Sequence, residues 1–473
     1  MAGRADGALT TSAAAGSRRR PVVKTNPRGL LAFLLPLPVA AAAGLGVGLA
    51  PHPALVVEAA IVSALVLVAR LEWAALAVIG TAVFEDYLTL VSPWAEEWLY
   101  AVLVVAWLVR RAGGPLHAHG LRAAVVPASL LVGAVLVAFV AHPHGRPGLA
   151  VCASYAVLAV VMLVLADCLC GPLAPARAAR VYVLSCVAAS GCGLVTALVS
   201  DRHLVAGPVA SSDTLAFFLL AAVPLVGTVR TRPTQPVWWV WASFALLLAA
   251  GVGTQSRPGL VALTVMVVVA VLTGQLALRY AGALLAVVMT AVALLVAVLP
   301  LPIGQALTDP QRYADTNISQ RIDVRVAAFD MTTSSPVVGL GPGAFALFHH
   351  EHRRAGTEPD ATEPDLDTAY STALEASAEL GLLGLVALYA AWLVPMAGAR
   401  LRWTRDRSGL TAATFLAAAG LLTASLIESQ QFTLPLWLLA AVLLALGRPA
   451  PPWTPVFGAP SDNRTSGQPR PRS

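Results

Sequence analysis

Lysine occurs once in this chain, at Lys24, and charged residues of both signs fill only 12% of its 473 positions. A soluble domain of this length carries about twice that share of charge, so a soluble class is excluded. Cysteine is also scarce. The five present (Cys152, Cys168, Cys170, Cys186 and Cys192) are odd in number, sit in apolar stretches and lack metal-ligand spacing. They read as packing thiols, not as a disulfide framework or a zinc site. Alternation of apolar and polar residues at period two is missing, which excludes a transmembrane β-barrel. No dinucleotide fingerprint, no P-loop lysine and no nucleic-acid-binding module occur, so no site for a nucleotide sugar and no nucleic-acid partner is expected.

What is present is hydrocarbon. Hydrophobic residues make up 58% of the chain, and the mean hydropathy is +0.75. Apolar runs near the ~20 residues that cross a bilayer fall at about 30–50, 54–70, 73–92, 96–110, 123–141, 149–170, 180–200, 213–229, 236–253, 258–274, 279–300, 372–398, 410–426 and 432–447. Only helices or closed barrels satisfy their backbone in lipid. The expected fold is therefore all-α, a polytopic transmembrane bundle of about 12–14 helices. Basic residues orient it. Arg70, Arg110, Arg111, Arg177, Arg180, Arg230, Arg279, Arg400 and Arg402 fall on alternate loops, whereas the short links near 51–53, 91–97 and 427–431 have none. Positive loops stay inside, which places both termini in the cytoplasm. The first apolar run also has the look of a signal peptide, but its removal would leave the later loops on the same sides. The net charge of +6 is what such loops produce. The expected organisation is a disordered cytoplasmic arm at 1–28, membrane helices at 29–300, an extracytoplasmic loop at 301–371, membrane helices at 372–447 and a disordered cytoplasmic tail at 448–473.

The long loop departs from the tight connections elsewhere, and loops of this length are functional or disordered. From Asn317 to Thr333, Ile318, Ile322, Val326 and Phe329 recur at helical spacing, predicting an amphipathic helix along the membrane surface that Ser335-Pro336 ends. Arg321 and Arg325 share one face of it. Two guanidinium groups one turn apart suit a diphosphate; a solvated basic face would show the same spacing. Gly339, Gly341 and Gly343 predict a tight turn before a second helix from Ala344. Arg257 follows a minimal linker between two apolar runs, at or just below the interface. Such a position is either functional or a snorkelling helix end. The acids Asp360, Glu363, Asp365 and Asp367 either hold a divalent cation or form a solvated loop. Glu85 and Asp86 either line a polar cavity or mark a helix end.

These residues stand in a familiar order. Ser256-Arg257 opens a helix and Arg321 lies in a long outer loop. Ser335-Pro336-Val337-Val338-Gly339-Leu340-Gly341-Pro342-Gly343-Ala344-Phe345 follows, and Ala376-Ser377-Ala378-Glu379-Leu380-Gly381-Leu382-Leu383-Gly384 enters the next helix. Upstream, Ala206-Gly207-Pro208-Val209-Ala210-Ser211-Ser212-Asp213-Thr214-Leu215-Ala216 leads into another. Over roughly 205–395 the chain resembles the O-antigen ligase and O-antigen polymerase superfamily of bacterial membrane glycosyltransferases. The resemblance implies a GT-C-like enzyme of the bacterial cytoplasmic membrane, working without metal or other cofactor on its outer face. It would take a glycan from a polyprenyl-diphosphate carrier, usually undecaprenyl, and pass it to a glycan or lipid acceptor. It further implies that Arg257 and Arg321 hold the donor diphosphate; helical spacing adds Arg325. The chain departs from the pattern at one position. A histidine commonly stands nine residues before the Glu of Glu-Leu-Gly, and here that residue is Tyr370. A neutral phenol is a poor base, so Tyr370 either positions the acceptor or yields the proton to Asp367, Glu375 or one of His349, His350 and His352. The competing readings are a transporter or flippase of lipid-linked glycans and a non-catalytic assembly protein.

Overall fold

The computed structural model describes residues 64, 66–85, 87–88, 92, 94–112, 118–199, 205, 211–230, 236–277, 310–352, 368–406 and 409–447. The expected runs at 30–50 and 279–300, most of that at 54–70, both tails, Asp86, the acidic run and Asp367 lie outside these residues. Every regular element described is helical, and the protein is a polytopic helical membrane protein. The helices belong to one compact unit, Leu67–Ser473. In chain order they are α1 (Leu71–Thr81, extended by a 3-10 turn at Ala82–Phe84), α2 (Ala95–Arg111), α3 (Ala118–Ala141), α4 (Gly145–Leu169) and α5 (Pro175–Val199). Then come α6 (Ser212–Ala222, continuing as 3-10 helix over Val223–Val229), α7 (Trp238–Gly253) and α8 (Arg257–Leu272). The remainder are α9 (Pro310–Ser334), α10 (Ala344–Phe348), α11 (Thr372–Asp406), α12 (Gly409–Ala424) and α13 (Leu434–Leu446). Five segments are long and apolar enough to cross a membrane: the greater part of α3, α4, the greater part of α5, α6 with its 3-10 extension, and α11 to Leu401.

Within these helices the small residues face in and many large aliphatic ones face out. On α3, Ala124, Ala128, Ala134 and Ala138 are buried with Leu131 and Val135, while Val126, Leu130, Leu136, Val137 and Val140 are exposed. In water this sorting would be unfavourable. In lipid, leucine gains nothing by leaving the solvent, and small residues let backbones approach closely. α3 packs on α4 and α11, α4 on α13, and α8 on α12.

The helices alternate in direction, so the bundle has two chemically different ends. At one, Arg111 pairs with Asp167, Arg177 with Glu72, and the Arg180 Nε–H donates to the Thr228 carbonyl at 2.8 Å. At the other lie the α3–α4 turn, the α7–α8 turn, the start of α11 and the α12–α13 turn, with α9 and α10 laid against them.

α9 is longer than the spacing predicts and rests on α11. Its packed face is Val324, Ala327, Ala328 and Met331, all buried, whereas Ile322 and Phe329 of the expected stripe are exposed. Small and flexible side chains make the tight contact, and these two bulky residues look outward. α11 is broken within its first three turns. Gly381 has φ 67° and ψ −170°, a conformation essentially restricted to glycine. The backbone groups freed by the break are taken up by the glycine loop. Leu340 and Gly341 N–H donate to the Ala378 and Glu379 carbonyls, each at 2.9 Å, and Leu382 and Leu383 N–H donate to the Pro336 and Val337 carbonyls at 2.8 and 3.2 Å. The expected turn is thus also a clamp on a broken helix.

Candidate functional site

Two caps and two strained residues set up the site. Ser211 Oγ accepts the Thr214 N–H at 3.0 Å and starts α6, with Asp213 in its first turn. Ser256 Oγ accepts the Gly259 N–H at 3.2 Å and starts α8, with Arg257 first in the helix. A Cβ at Gly259 would stand 3.3 Å from that of Ala216, so the first turns of α6 and α8 lie side by side. Among the described residues only Gln255 (φ 55°) and Tyr370 (φ 49°) are non-glycine residues of positive φ. They immediately precede Ser256-Arg257 and Ser371-Thr372. Such conformations cost ~1–3 kcal/mol and collect where function over-determines the backbone.

Arg321 stands at the centre. Its guanidinium lies 4.2 Å over the Tyr370 ring, 3.4 Å from Asp213 Oδ2 and 3.5 Å from Glu428 Oε2. Both carboxylate distances are at the long limit of a hydrogen bond, so these partners hold the cation in place without consuming it. Its side chain remains 31% accessible. Arg325, one turn on, points elsewhere. Its NH2 donates to the Tyr370 carbonyl at 3.0 Å and the Ile427 carbonyl at 2.9 Å, tying the Tyr370 turn to the α12–α13 turn.

A buried carboxylate completes that tie. Glu375 accepts the Ala369 N–H at 3.1 Å, the Ser429 hydroxyl at 2.6 Å and the Gln431 amide. Thr372 joins in: its N–H donates to the Ser425 carbonyl at 2.8 Å and its Oγ1 accepts the Gln430 N–H at 2.9 Å. Glu375, considered above as a substitute base, has three donors on its two oxygens and serves as a strut. Two of the three candidate histidines are also engaged. His352 pairs with Asp330 at 2.7 Å, and buried His349 is stacked on Phe345. Glu379 binds the other side of the clamp, accepting the Phe345 N–H at 3.3 Å.

Two site carboxylates were not singled out by sequence reasoning. Asp213 stood in a quoted segment without a role, and Glu428 sat in a link noted only for lacking basic residues. Their signal was rarity, since acids bordering apolar runs in so weakly charged a chain are costly unless used. His144 was also missed. Its Nε2 hydrogen-bonds the Leu340 carbonyl and its ring meets Phe348 at 5.2 Å, seating the glycine loop on the α3–α4 turn.

Residues 242–389, from α7 into α11, match the family model described as O-antigen ligase. This segment resembles an O-antigen ligase family domain. It contains Arg257, Arg321, Arg325, Tyr370, Glu375 and Glu379, while Asp213 and Glu428 reach the site from outside it. No curated protein matches the chain. The domain and the bundle support a membrane protein of surface-polysaccharide biosynthesis with ligase- or glycosyltransferase-like activity, acting on lipid-linked glycans.

Burial sets the protonation of two groups here. Tyr370 is pushed above the usual phenol value mainly by desolvation, against the pull of Arg321. A phenol held further from ionisation is a poor base. Glu428 is pushed up to about 7, first by burial and then by Asp213, with Arg321 and Arg325 opposing.

Proposed function

We propose that the protein transfers glycan from a polyprenyl-diphosphate-linked donor to a hydroxyl of a glycan or lipid acceptor, on the outer face of the cytoplasmic membrane. The observation that carries this reading is Arg321: a partly accessible guanidinium, loosely held between two carboxylates and an aromatic ring inside an O-antigen ligase family domain. The alternation of basic loops supports the outer placement, because Arg111, Arg177 and Arg180 gather at the opposite end.

In this reading Arg321 receives the donor diphosphate, and Arg257 contributes a second cation from the neighbouring end of α8. As the anomeric C–O bond breaks, negative charge moves onto the diphosphate, and fixed guanidinium groups stabilise it more in the transition state than in the ground state. Arg325 acts mainly by holding the two turns that present Tyr370. Tyr370 keeps Arg321 oriented through its ring face and offers a surface against which the acceptor is positioned. No metal and no other cofactor enters this scheme.

The test is release of polyprenyl diphosphate by the purified full chain, given a polyprenyl-diphosphate oligosaccharide and an acceptor. Arg321→Ala is expected to slow release by about 10²–10³, the range for removing one stabilising donor. Arg177→Ala, at the opposite end, is expected to change it little. Equal effects would remove the diphosphate role from Arg321. A transporter would move the donor across vesicles without splitting it, and folded wild-type protein that never releases the carrier would favour that class.

A further inference from the structure

The glycan-transfer reading leaves the acceptor proton without a destination, because the residue expected to receive it is a tyrosine. We propose that Glu428, on the turn between α12 and α13, is the general base of the reaction. The inference rests on the glycan-transfer reading and concerns the same site.

Among the described residues, geometry favours this side chain. Glu375 faces the same turn but is buried and already accepts from Ala369, Ser429 and Gln431. His352 is engaged by Asp330 on α9, and His349 is buried against Phe345. Asp213 reaches Arg321 too, at 3.4 Å from the first turn of α6. Glu428 places one oxygen 3.5 Å from Arg321, and its side chain is still 11% accessible beside the guanidinium. Its backbone is fixed. The Glu428 N–H donates to the Ala424 carbonyl at 2.9 Å, and its carbonyl accepts the Thr372 hydroxyl at 3.2 Å. A base must be held rigidly beside the reacting atoms, and this one stands next to the cation that would hold the leaving diphosphate.

The step balances without a further reactant. The acceptor oxygen forms a bond to the anomeric carbon while that carbon's bond to the diphosphate oxygen breaks. The bonding pair leaves with the diphosphate beside Arg321, and the hydroxyl proton passes to Glu428. Attack opposite the leaving group inverts the anomeric centre.

The groups facing Glu428 are Asp213 of α6, Arg321 and Arg325 of α9, Glu375 of α11 and the Tyr370 phenol. The acids and burial raise its affinity for a proton, and the arginines lower it. With the carboxyl near 7, the base form grows as pH rises through neutrality, so transfer should accelerate over that window and then level off.

The decisive experiment compares wild type and Glu428→Gln, as full-length protein in lipid nanodiscs, with a hydroxyl acceptor and with azide. Azide needs no deprotonation. Glu428→Gln is expected to lose hydroxyl transfer by about 10²–10⁴ and to lose the acceleration through neutral pH. Azide should restore carrier release in that variant, with a glycosyl azide as product, which also shows that the variant is folded. Two outcomes overturn the base assignment while leaving glycan transfer intact. In one, Glu428→Gln keeps the wild-type rate and pH profile. In the other, it fails equally with both nucleophiles while wild type turns over. Folded wild type inert toward both nucleophiles would overturn the glycan-transfer reading, and this proposal with it.

Discussion

Tyr370 shows how one residue can hold a position in a site while giving up its chemistry. Its ring lies 4.2 Å from the Arg321 guanidinium, its carbonyl accepts from Arg325, and its φ of 49° is one that a β-carbon makes costly. Burial raises the phenol further from ionisation. Ring and backbone are therefore what the site uses. Tyr370→Phe should keep turnover within a few-fold of wild type. Tyr370→Ala, which removes a cation–π contact of ~0.5–2 kcal/mol, should raise the donor KM several-fold or more. Steady-state kinetics on the two variants decides it, and a Phe variant as impaired as the Ala variant would return the hydroxyl to the mechanism. Arg321 and Arg325 also separate at this scale. Sequence spacing put them on one face as a pair, yet one is loosely held beside the acids and the other is spent on two carbonyls.

At the scale of elements, the central device is the interlock between the glycine loop and broken α11. A helix interrupted at Gly381 exposes backbone groups that lipid cannot satisfy, and each unsatisfied group costs several kcal/mol. The loop supplies partners, but only if both chains approach without side chains. A Cβ on Gly339 would stand 2.3 Å from the Glu379 carbonyl carbon, and one on Gly381 would stand 2.3 Å from that of Val337. Gly381→Ala is thus expected to cost more than about 3 kcal/mol, combining a forbidden conformation with a backbone clash. Gly398→Ala, on the same helix with nothing within 4 Å, should be neutral or slightly stabilising. Thermal unfolding of the two purified variants gives the comparison, and equal melting temperatures would show that the loop yields. The interlock reaches the site through α11. Glu379 binds α10, and Glu375, one turn earlier, fixes the Tyr370 turn.

For the whole molecule, polarity along the bundle axis is the organising fact. Basic residues with structural partners mark one end, and the acids, arginines and strained turns of the site mark the other. If the site faces outward, Ala346→Cys on the exposed surface of α10 should react in intact cells with a membrane-impermeant maleimide. Ala174→Cys, in the exposed α4–α5 turn, should react only after permeabilisation. The reverse pattern would invert the topology. The native thiols interfere little, since all are buried or half-buried.

The class of the molecule and its described helices were legible in the sequence. The reason is physical. A bilayer imposes length and apolarity on each crossing independently of every other, so each span can be read locally. The helix opening at Ser256-Arg257 and the stop at Ser335-Pro336 were local too, since each depends on residues next to it in sequence. The meeting of Asp213 and Glu428 at Arg321 was not. Those three residues lie more than a hundred positions apart in both directions, on helices whose neighbours are chosen by the fit of small side chains. Nor could spacing reveal that Gly381 breaks a helix or that Glu375 is a buried strut. Both depend on which backbone groups another segment brings within hydrogen-bonding distance, and only the packed bundle decides that.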